Sequence, residues 1–402
     1  MSSNATTERP TNRELAARAP ALGLSYFLRF LFLMARIRLV LAVQQLRRRS
    51  RPKPEDVVRE LLPDAANAER VVPAVLALDR YEREKARDIH ALTVSFGGRM
   101  SEVVLKYSKP LAPSLQAFLY AANLGHCREV LFHRHLAHLL PVRTARLLGA
   151  WESRWTGEYR LLQEHVHGSS RPDHAGISEN EARVALEAIA PLHCVALAEL
   201  PRLDWIVGNT NDRPFRWLII FFPRRFDGLF IKVFGALCNY LNGLETGLVH
   251  VDYRPGNLLF HFRNGDNAPE AVTMLDWFGV TISAPIFDVV YFMTLGLQPD
   301  QRRDHYGSLR DAYLQARSRS GSPYDRVAFD DDYQVVSLLF AMACHGYAEI
   351  ELFANWNVDA RQWDDWRRKV LSSIEDLDFE RIAHRTGCPA DELKQAAAGL
   401  SL

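Results

Sequence analysis

The sequence predicts an α+β fold in which a small antiparallel sheet precedes a larger, mostly helical part. The first observation is a set of short β-prone runs at residues 71–78, 90–96, 102–107 and 159–162, with Gly97 and Gly98 joining the second and third as in a hairpin. The second is helical spacing of apolar residues after Ser178, which opens a capping box with Glu181. At 402 residues, the chain can form two lobes plus an extension.

The composition is that of an ordinary folded protein. Hydrophobic residues make up 48% of the chain and charged residues 24%, values typical of soluble globular proteins. The five cysteines are scattered and form no C-x-x-C pair. This pattern favours a reducing compartment, and it implies neither structural zinc nor disulfides. We therefore expect a cytoplasmic protein.

The positive charge is concentrated at the N-terminus. Residues 1–54 hold eleven Lys and Arg residues against Glu8 and Glu14, whereas the whole chain has a net charge of +1. The remainder is thus mildly acidic and lacks the basic surface of a nucleic-acid-binding protein. We expect no binding to DNA or RNA.

An apolar helix is predicted at residues 21–46, ending in the basic segment 47–51. Arg29, Arg36 and Arg38 interrupt it, and each would be costly near the centre of a bilayer, so we do not expect it to span a membrane. Three alternatives remain open. Residues 21–51 could pack on the body or on a second copy of the chain, make peripheral contact with an anionic membrane, or serve in targeting.

The strongest chemical signal is His250-x-Asp252-x-Arg254-x-x-Asn257, followed nineteen positions later by Asp276. A carboxylate and an amide five residues apart on a tight loop can share one cavity with a second carboxylate from a neighbouring hairpin. Such a set can hold Mg²⁺ against transferring phosphates while one carboxylate accepts a hydroxyl proton. The spacing therefore predicts phosphoryl transfer.

This motif resembles the catalytic loop of the protein-kinase-like superfamily, and within it the aminoglycoside phosphotransferase, choline kinase and ecdysteroid-kinase-like families. The resemblance implies a bilobal kinase-like fold that uses ATP and Mg²⁺. It also implies that Asp252 is the catalytic base, that Asn257 and Asp276 are the magnesium ligands and that His250 supports the loop. Arg254 would neutralise the migrating phosphoryl group or form a surface ion pair.

Two neighbouring positions bear on the loop. Val251 stands where the families have glycine, which places a β-branched side chain beside the presumed base. Asp288 resembles a further aspartate that the families place after the metal-binding one. We expect Asp288 to brace the loop.

The N-terminal lobe offers the expected nucleotide-binding residues. Val103-Val104-Leu105-Lys106 resembles the V-A-I-K strand, and strand alternation puts Val104 and Lys106 on the face toward ATP. Lys106 would contact the α- and β-phosphates and pair with an acid on the next helix. Glu129 is the preferred candidate for that acid, with Glu102 and Glu152 as alternatives.

The connection between the lobes is predicted at Glu164 and His165, whose backbone groups would meet the adenine edge unless the segment is a simple connector. The predicted domains are an N-terminal extension at 1–70, an N-lobe at 71–168 and a helical C-lobe at 169–402. One feature of the families is missing, because residues 79–88 contain no glycine-rich phosphate loop.

The acceptor pocket is predicted between the insert at 205–230 and the C-terminal helices around 340–366. Aromatic residues are frequent there, at Trp205, Trp217, Phe221, Phe222, Trp356, Trp363 and Trp366, and they form either core or substrate wall. With few acidic clusters nearby, we expect a neutral or apolar small molecule with a hydroxyl group rather than a polycation.

A pseudokinase that binds nucleotide and acts as a membrane-associated scaffold is the alternative. Val251, the basic extension and the missing glycine loop motivate it. A protein kinase is disfavoured, because Asp276 leads into Trp-Phe-Gly and no Ala-Pro-Glu segment follows.

Overall fold

The structure is a computed structural model. It describes residues 35, 53–62, 68–73, 87–96, 99–108, 128–152, 159–201, 205–206, 226–263, 268–349 and 360–400.

A five-stranded antiparallel sheet forms the N-terminal part, in the order β1-β2-β3-β5-β4. The strands are β1 (Ala68–Pro73), β2 (Arg87–Phe96), β3 (Arg99–Ser108), β4 (Leu147–Glu152) and β5 (Tyr159–Glu164). Strands β2 and β3 pair from Phe96 opposite Arg99 onward, with residues 97 and 98 between them. Three of the predicted strands correspond to β2, β3 and β5, and the one predicted at 71–78 overlaps β1 at residues 71–73, its remainder lying outside the described residues. Strand β4 was not predicted.

One face of the sheet is covered by helix α1 (Pro54–Leu61). Val57, Val58 and Leu61 pack into a cluster with residues of the sheet that include Val103 and Leu105. The helix approaches β4 so closely that a Cβ atom on Gly149 would lie 2.4 Å from the Leu61 carbonyl oxygen, so this position requires glycine. The boundary predicted after residue 70 falls within β1.

The opposite face packs against helix α2 (Arg128–His135). Val130 and Leu131 of this helix form a second cluster with Tyr159 and Leu161 of β5. Because side chains alternate along a strand, Lys106 lies on this face while Val103 and Leu105 lie on the face toward α1. Lys106 therefore lies on the sheet face toward α2, and its contact with ATP stays a prediction.

The remainder of the described chain is mostly helical, as the sequence predicts. Its helices are α3 (Glu179–His193), α4 (Gly228–Gly243), α5 (Ile286–Gly296), α6 (Pro299–Arg319), α7 (Arg326–Glu349), α8 (Ala360–Glu375), α9 (Phe379–Thr386) and α10 (Ala390–Ala398). The predicted capping box begins α3: Ser178 Oγ accepts from the Glu181 N–H, and the Glu181 carboxylate accepts from the Ser178 N–H at 2.8 Å. One large apolar cluster joins most of these helices.

Two small antiparallel sheets interrupt the helices and flank the catalytic motif. Strand β7 (Gly247–Val249) pairs with β10 (Thr281–Ser283). Strand β8 (Leu258–Phe262) pairs with β6 (Ser169–Ser170) and β9 (Pro269–Met274). The motif therefore forms the connection between β7 of one small sheet and β8 of the other.

Several sequence predictions lie outside the described residues. These are the helix at 21–46 apart from Ala35, the basic segment 47–51, most of the glycine-free connection at 79–88, the Gly97-Gly98 turn and the aromatic residues Trp217, Phe221, Phe222 and Trp356. Within the described ranges, none of the helices combines the length and the apolar character needed to cross a membrane.

Candidate active site

The catalytic loop runs from the end of β7 to a short 3₁₀ turn at Pro255–Asn257, immediately before β8. The loop is anchored to α5 by one carboxylate. Asp288, fully buried in the first turn of α5, accepts the N–H groups of His250 at 2.6 Å and Val251 at 2.7 Å. Hydrogen bonds to a charged acceptor are stronger than those between neutral groups. The predicted bracing role of Asp288 is confirmed.

The backbone that Asp288 holds has an unusual conformation at Val251. Its φ of 72° lies in the left-handed region, which β-branched residues rarely occupy. Glycine adopts this conformation without steric cost. The conformation itself thus explains why a glycine is the expected residue here, and the loop retains it with valine in place.

Asp252 lies at the centre of a set of hydrogen-bond donors. Its Oδ1 accepts from Arg254 Nε at 3.0 Å and from the Tyr291 hydroxyl at 2.8 Å. Its Oδ2 accepts from Asn257 Nδ2 at 2.6 Å. Burial, followed by the negative charge of Asp252, raises the pKa of Tyr291 well above its usual range, so the phenol remains a donor. The structure therefore brings Asp252, Arg254 and Asn257 together, and it adds Tyr291, which the sequence did not indicate.

His250 supports the loop from its other side. Its ring is completely buried, and its Nε2 lies 2.9 Å from the Leu275 carbonyl oxygen, to which it donates. The ring also lies 4.6 Å from that of Trp277, centroid to centroid. Because Leu275 and Trp277 flank Asp276, His250 connects the loop to the segment that carries the second carboxylate.

Arg254 is held between two carboxylates rather than in a surface ion pair. In addition to Asp252, it donates to Asp173 Oδ2, and its guanidinium lies 5.5 Å from the centre of the Trp366 ring. Burial alone would lower the pKa of Arg254, but the charges of Asp173 and Asp252 outweigh it and raise that pKa well above its usual range. Arg254 is therefore a fixed positive charge beside Asp252.

Asp173 is a site residue that the sequence reasoning missed. Its Oδ1 accepts the Gly256 N–H at 2.7 Å, its Oδ2 accepts from Gln362 Nε2 at 3.1 Å, and its carbonyl oxygen accepts from Lys369 Nζ at 2.7 Å. A single Asp in a Pro-rich loop usually indicates a turn. No local signal distinguishes Asp173 from such a residue, because its partners are distant in sequence.

Asp276 follows β9 and is itself in the left-handed conformation, with φ 64° and ψ 61°. The Leu275 N–H donates to the Asn257 carbonyl oxygen at 2.9 Å, which fixes the Asp276 segment against the catalytic loop. The amide nitrogen of Asn257 is directed at Asp252, which leaves the amide oxygen as the group of Asn257 suited to a cation. Carboxylate and amide oxygens are hard ligands, so Asn257 and Asp276 fit Mg²⁺ as a donor set.

The predicted ion pair between Lys106 of the sheet and Glu129 of α2 is present. Lys106 Nζ lies 2.8 Å from Glu129 Oε1, and both side chains are buried. The alternatives for this partner, Glu102 and Glu152, pair with His165 and Arg134 instead. Val104 shares the face of Lys106, as alternation requires.

Helix α2 also contacts the segment that follows Asp276. The rings of Phe132 and Trp277 stack with centroids 4.0 Å apart and an interplanar angle of 8°. Arg128 donates to the Val280 carbonyl oxygen from a buried position. The helix that carries Glu129 is therefore packed directly on the Asp276 segment, which links Lys106 to the segment that carries the predicted metal ligand Asp276.

The predicted nucleotide contacts at Glu164 and His165 are restricted by the sheet. The Glu164 N–H donates to the Arg146 carbonyl oxygen, and the His165 N–H donates to the Glu102 carbonyl oxygen, each at 3.0 Å. These two N–H groups are thus engaged within the protein. A contact between adenine and the carbonyl oxygens of these two residues stays a prediction.

The described aromatic residues predicted near the acceptor all belong to the apolar core or pack against it. Phe340 and Trp366 are buried members of the core, and Trp205 and Trp363 pack against it. Trp366 also lies against Arg254, as described above, and Phe340 lies 4.9 Å from Tyr291, centroid to centroid. Aromatic rings therefore lie on the Tyr291 and Arg254 side of Asp252.

Comparisons with known proteins bear on the fold. The model of the ecdysteroid kinase-like family matches residues 231–319, which include the whole catalytic motif. An amicoumacin kinase, solved in complex with AMP-PNP, Ca²⁺ and Ami, aligns with 12% identity and a TM-score of 0.50, covering 83% of this chain and 98% of that one. The chain has the protein-kinase-like fold. The resemblance recognised in the sequence is thereby confirmed.

Other solved structures with the kinase-like fold were also found. A choline kinase from Cryptosporidium parvum Iowa II has 11% identity and a TM-score of 0.48, covering 82% of this chain and 97% of that one. A choline/ethanolamine kinase family protein from Mesorhizobium loti has 14% identity and a TM-score of 0.46, covering 86% and 99%. A search of curated protein sequences gave no match.

Proposed function

We propose that this chain is an ATP-dependent phosphotransferase that phosphorylates a hydroxyl group of a neutral or apolar small molecule. The observation that carries the proposal is the catalytic loop, in which Asp252 and Asn257 are joined at 2.6 Å while Asp288 holds the loop backbone. The amicoumacin kinase was solved with AMP-PNP and Ca²⁺, which supports nucleotide and divalent-metal use on this fold.

In the proposed reaction, the acceptor oxygen bonds to the γ-phosphorus of ATP as the bond from that phosphorus to the β–γ bridging oxygen breaks. ADP leaves, and the hydroxyl proton passes to the Asp252 carboxylate. Mg²⁺ would neutralise phosphate charge and would be held by Asn257 and Asp276. Tyr291 and Arg254 orient the Asp252 carboxylate through their hydrogen bonds to Oδ1.

The aromatic surroundings of Asp252 support an acceptor of low charge. Tyr291 donates to Asp252, Phe340 lies against Tyr291, and Trp366 lies against Arg254. The carboxylate of Asp173 is already bonded to Arg254 and Gly256, so it is poorly suited to binding a cationic acceptor. We therefore favour a neutral alcohol over a polyamine.

The test is a screen of hydroxyl-bearing metabolites with the purified full-length protein, Mg²⁺ and ATP, read out as release of ADP. Asp252→Asn should lower turnover by roughly 10²- to 10⁴-fold, the usual contribution of a general base. Asp276→Asn should abolish metal-dependent stabilisation by ATP. Asp300→Asn is the matched control, because its side chain is 92% exposed and makes only a local pair with Arg303.

The second candidate, a nucleotide-binding pseudokinase, is favoured by the strained Val251 in the catalytic loop. It predicts thermal stabilisation by ATP, sensitive to Asp276→Asn, with neither phosphorylated product nor slow ATP hydrolysis. If neither stabilisation nor ADP release occurs in the wild-type protein, both candidates fail.

A further inference from the structure

Three metal-ligating side chains meet at the junction of β3 with the segment that follows β5. Glu102 Oε2 lies 3.3 Å from His165 Nδ1 and 3.3 Å from His167 Nε2. One ligand atom from each of the three residues falls within 4.8 Å of the others. None of them belongs to the Asp252, Asn257 and Asp276 set, and His165 is also one of the two predicted adenine contacts.

The fold brings this cluster together through the register of the sheet. Strands β3 and β5 are antiparallel with Val103 opposite Glu164, so Glu102 and His165 are the next residues outward on the two chains. The His165 N–H donates to the Glu102 carbonyl oxygen at 3.0 Å and extends the pairing by one step. His167 is two positions further on, the spacing that returns a side chain to the same side of an extended segment.

Apart from the 3.3 Å ion pair that they form with each other, Glu102 Oε2 and His165 Nδ1 are poorly satisfied. Both atoms are shielded from solvent, and neither meets a regular hydrogen-bond partner among the described residues. Burying polar groups with incomplete hydrogen bonding costs free energy. A cation bound between them would satisfy both atoms.

Two of the three ligand–ligand distances match tetrahedral coordination. With metal–ligand bonds of about 2.0–2.1 Å, two ligand atoms of a tetrahedral zinc site are roughly 3.3–3.4 Å apart. Both contacts of Glu102 have this length. The rings of His165 and His167 are nearly perpendicular, at 85°, so they do not stack face to face and their nitrogen atoms can approach one centre from different directions.

The types of donor atom indicate which metal ion the cluster would bind. Two imidazoles and one carboxylate suit Zn²⁺, whereas Mg²⁺ and Ca²⁺ prefer all-oxygen sites.

We propose that Glu102, His165 and His167 form a Zn²⁺ site, with water in the fourth position. The ion would join the end of β3 to the segment after β5. The cysteine pattern gave no indication of zinc, and this site uses no cysteine. The proposal does not depend on phosphotransferase activity.

The experiment is a titration of the metal-free full-length protein with Co²⁺, followed by competition with Zn²⁺. Tetrahedral Co²⁺ absorbs strongly in the visible range, so the spectrum reports both binding and geometry. We expect saturation at one equivalent, displacement by Zn²⁺ and an upward shift in melting temperature with Zn²⁺. Variants His167→Ala and Glu102→Gln should lose the saturable signal.

Two controls keep the outcome decisive. His167 has a side-chain exposure of 78%, so His167→Ala should fold normally, which the melting temperature of the metal-free variant checks. His138→Ala removes an exposed histidine outside the cluster and should leave the Co²⁺ spectrum unchanged.

Asp276→Asn distinguishes the proposed site from the candidate active site and should retain the spectrum. The proposal is overturned if wild-type protein shows no saturable Co²⁺ or Zn²⁺ binding, or if His167→Ala binds as the wild type does. It is also overturned if the signal disappears in Asp276→Asn instead. The first of these outcomes would identify the cluster as a simple histidine–glutamate pair.

Discussion

Val251 shows how a single residue can be held in an unfavourable conformation by its neighbours. Its positive φ is fixed by the bond from its N–H to Asp288 Oδ1 at 2.7 Å. Gly279 packs against it so closely that a Cβ atom there would lie 3.1 Å from Val251 Cβ and 2.8 Å from the His250 carbonyl oxygen. The loop is therefore confined from two directions, and the strain at Val251 persists in the folded state.

We predict that Val251→Gly is more stable than Val251→Ala by about 1 kcal/mol. The left-handed conformation costs a non-glycine residue about 1–2 kcal/mol, and the greater freedom of glycine in the unfolded chain offsets part of this. Comparing the two variants removes the effect of losing the valine methyl groups. Urea denaturation at pH 7.5 measures the difference, and equal stability or the reverse order would contradict the strain.

His133 is a second residue whose environment has a measurable consequence. It is buried in α2, with Nε2 2.7 Å from Gln163 Nε2. Burial, followed by the charge of Lys106, lowers the pKa of His133 to about 3. In the unfolded chain the pKa is about 6.5. The unfolded state therefore binds a proton that the folded state does not between these values, and stability falls as the pH drops below about 6.5.

We predict that His133→Gln removes this dependence. Between pH 7.5 and pH 5, the wild-type protein should lose about 2 kcal/mol more stability than the variant. Urea denaturation at the two pH values checks this. His135→Gln, at an exposed position of the same helix, should retain the wild-type dependence. Equal losses in His133→Gln and wild type would mean that His133 is not buried in its neutral form.

At the scale of the element, the first turn of α5 controls the backbone of the catalytic loop. Asp288 Oδ1 and Oδ2 accept one loop N–H each, and Oδ2 also lies 3.1 Å from His193 Nε2. His193 in turn contacts the Tyr313 hydroxyl at 2.8 Å. The loop is thus joined to α3, α5 and α6 through one carboxylate.

We predict that Asp288→Asn destabilises the protein by about 2 kcal/mol. An amide can accept only one of the two loop N–H groups, so the other is left buried and unpaired. Phosphotransfer, if present, should decline as well, because Val251 adjoins Asp252. Asp300→Asn, in the first turn of α6 but exposed, should change the urea midpoint by no more than experimental error. A stable Asp288→Asn variant would show that the loop does not need this anchor.

Elements with a strong local pattern were predictable, and those without one were not. The capping box at Ser178 marked the start of α3, and β-branched residues marked β2 and β3. Strand β4 was not predicted because apolar and polar residues do not alternate in its sequence, Leu-Leu-Gly-Ala-Trp-Glu. All but one of its residues are partly buried. The glycine that α1 requires at residue 149 breaks the pattern further.

At the scale of the molecule, α2 joins the N-terminal sheet to the catalytic segments. Glu129 pairs with Lys106 of β3, while Phe132 stacks on Trp277 and Arg128 donates to Val280. These contacts come from successive turns of one short helix. A displacement of α2 would therefore disturb both sides of the site together.

We predict that Phe132→Ala costs about 3–5 kcal/mol of stability and reduces the thermal stabilisation by ATP and Mg²⁺. Phe329→Ala is the matched control, because Phe329 is equally buried but packs against Tyr313, Tyr324 and Tyr333. It should lose similar stability and keep its relative response to nucleotide. Parallel loss of response in both variants would indicate a global effect rather than the proposed coupling.

The motif predicted the fold and those residues of the candidate site that belong to it, but not their long-range partners. Asp252 and Asn257 are recognisable because they are five positions apart on one loop, and Asp276 because it ends the hairpin that follows that loop. Asp173 and Tyr291 meet Arg254 and Asp252 only after the chain has folded, and neither belongs to a distinctive local pattern. The zinc ligands were missed for the same reason, since Glu102 and His165 become neighbours through strand register.

The lysine bonded to the carbonyl oxygen of Asp173 has a consequence for synthesis of the protein. Lys369 is 196 residues further along the chain, and it also donates to the Leu295 carbonyl oxygen from a fully buried position. Helix α8, which carries it, leaves the ribosome long after the catalytic loop has emerged. The support that Lys369 gives through Asp173 is therefore complete only after α8 has been translated, and a nascent chain stalled before residue 369 should be more sensitive to protease at this loop than a chain that includes α8.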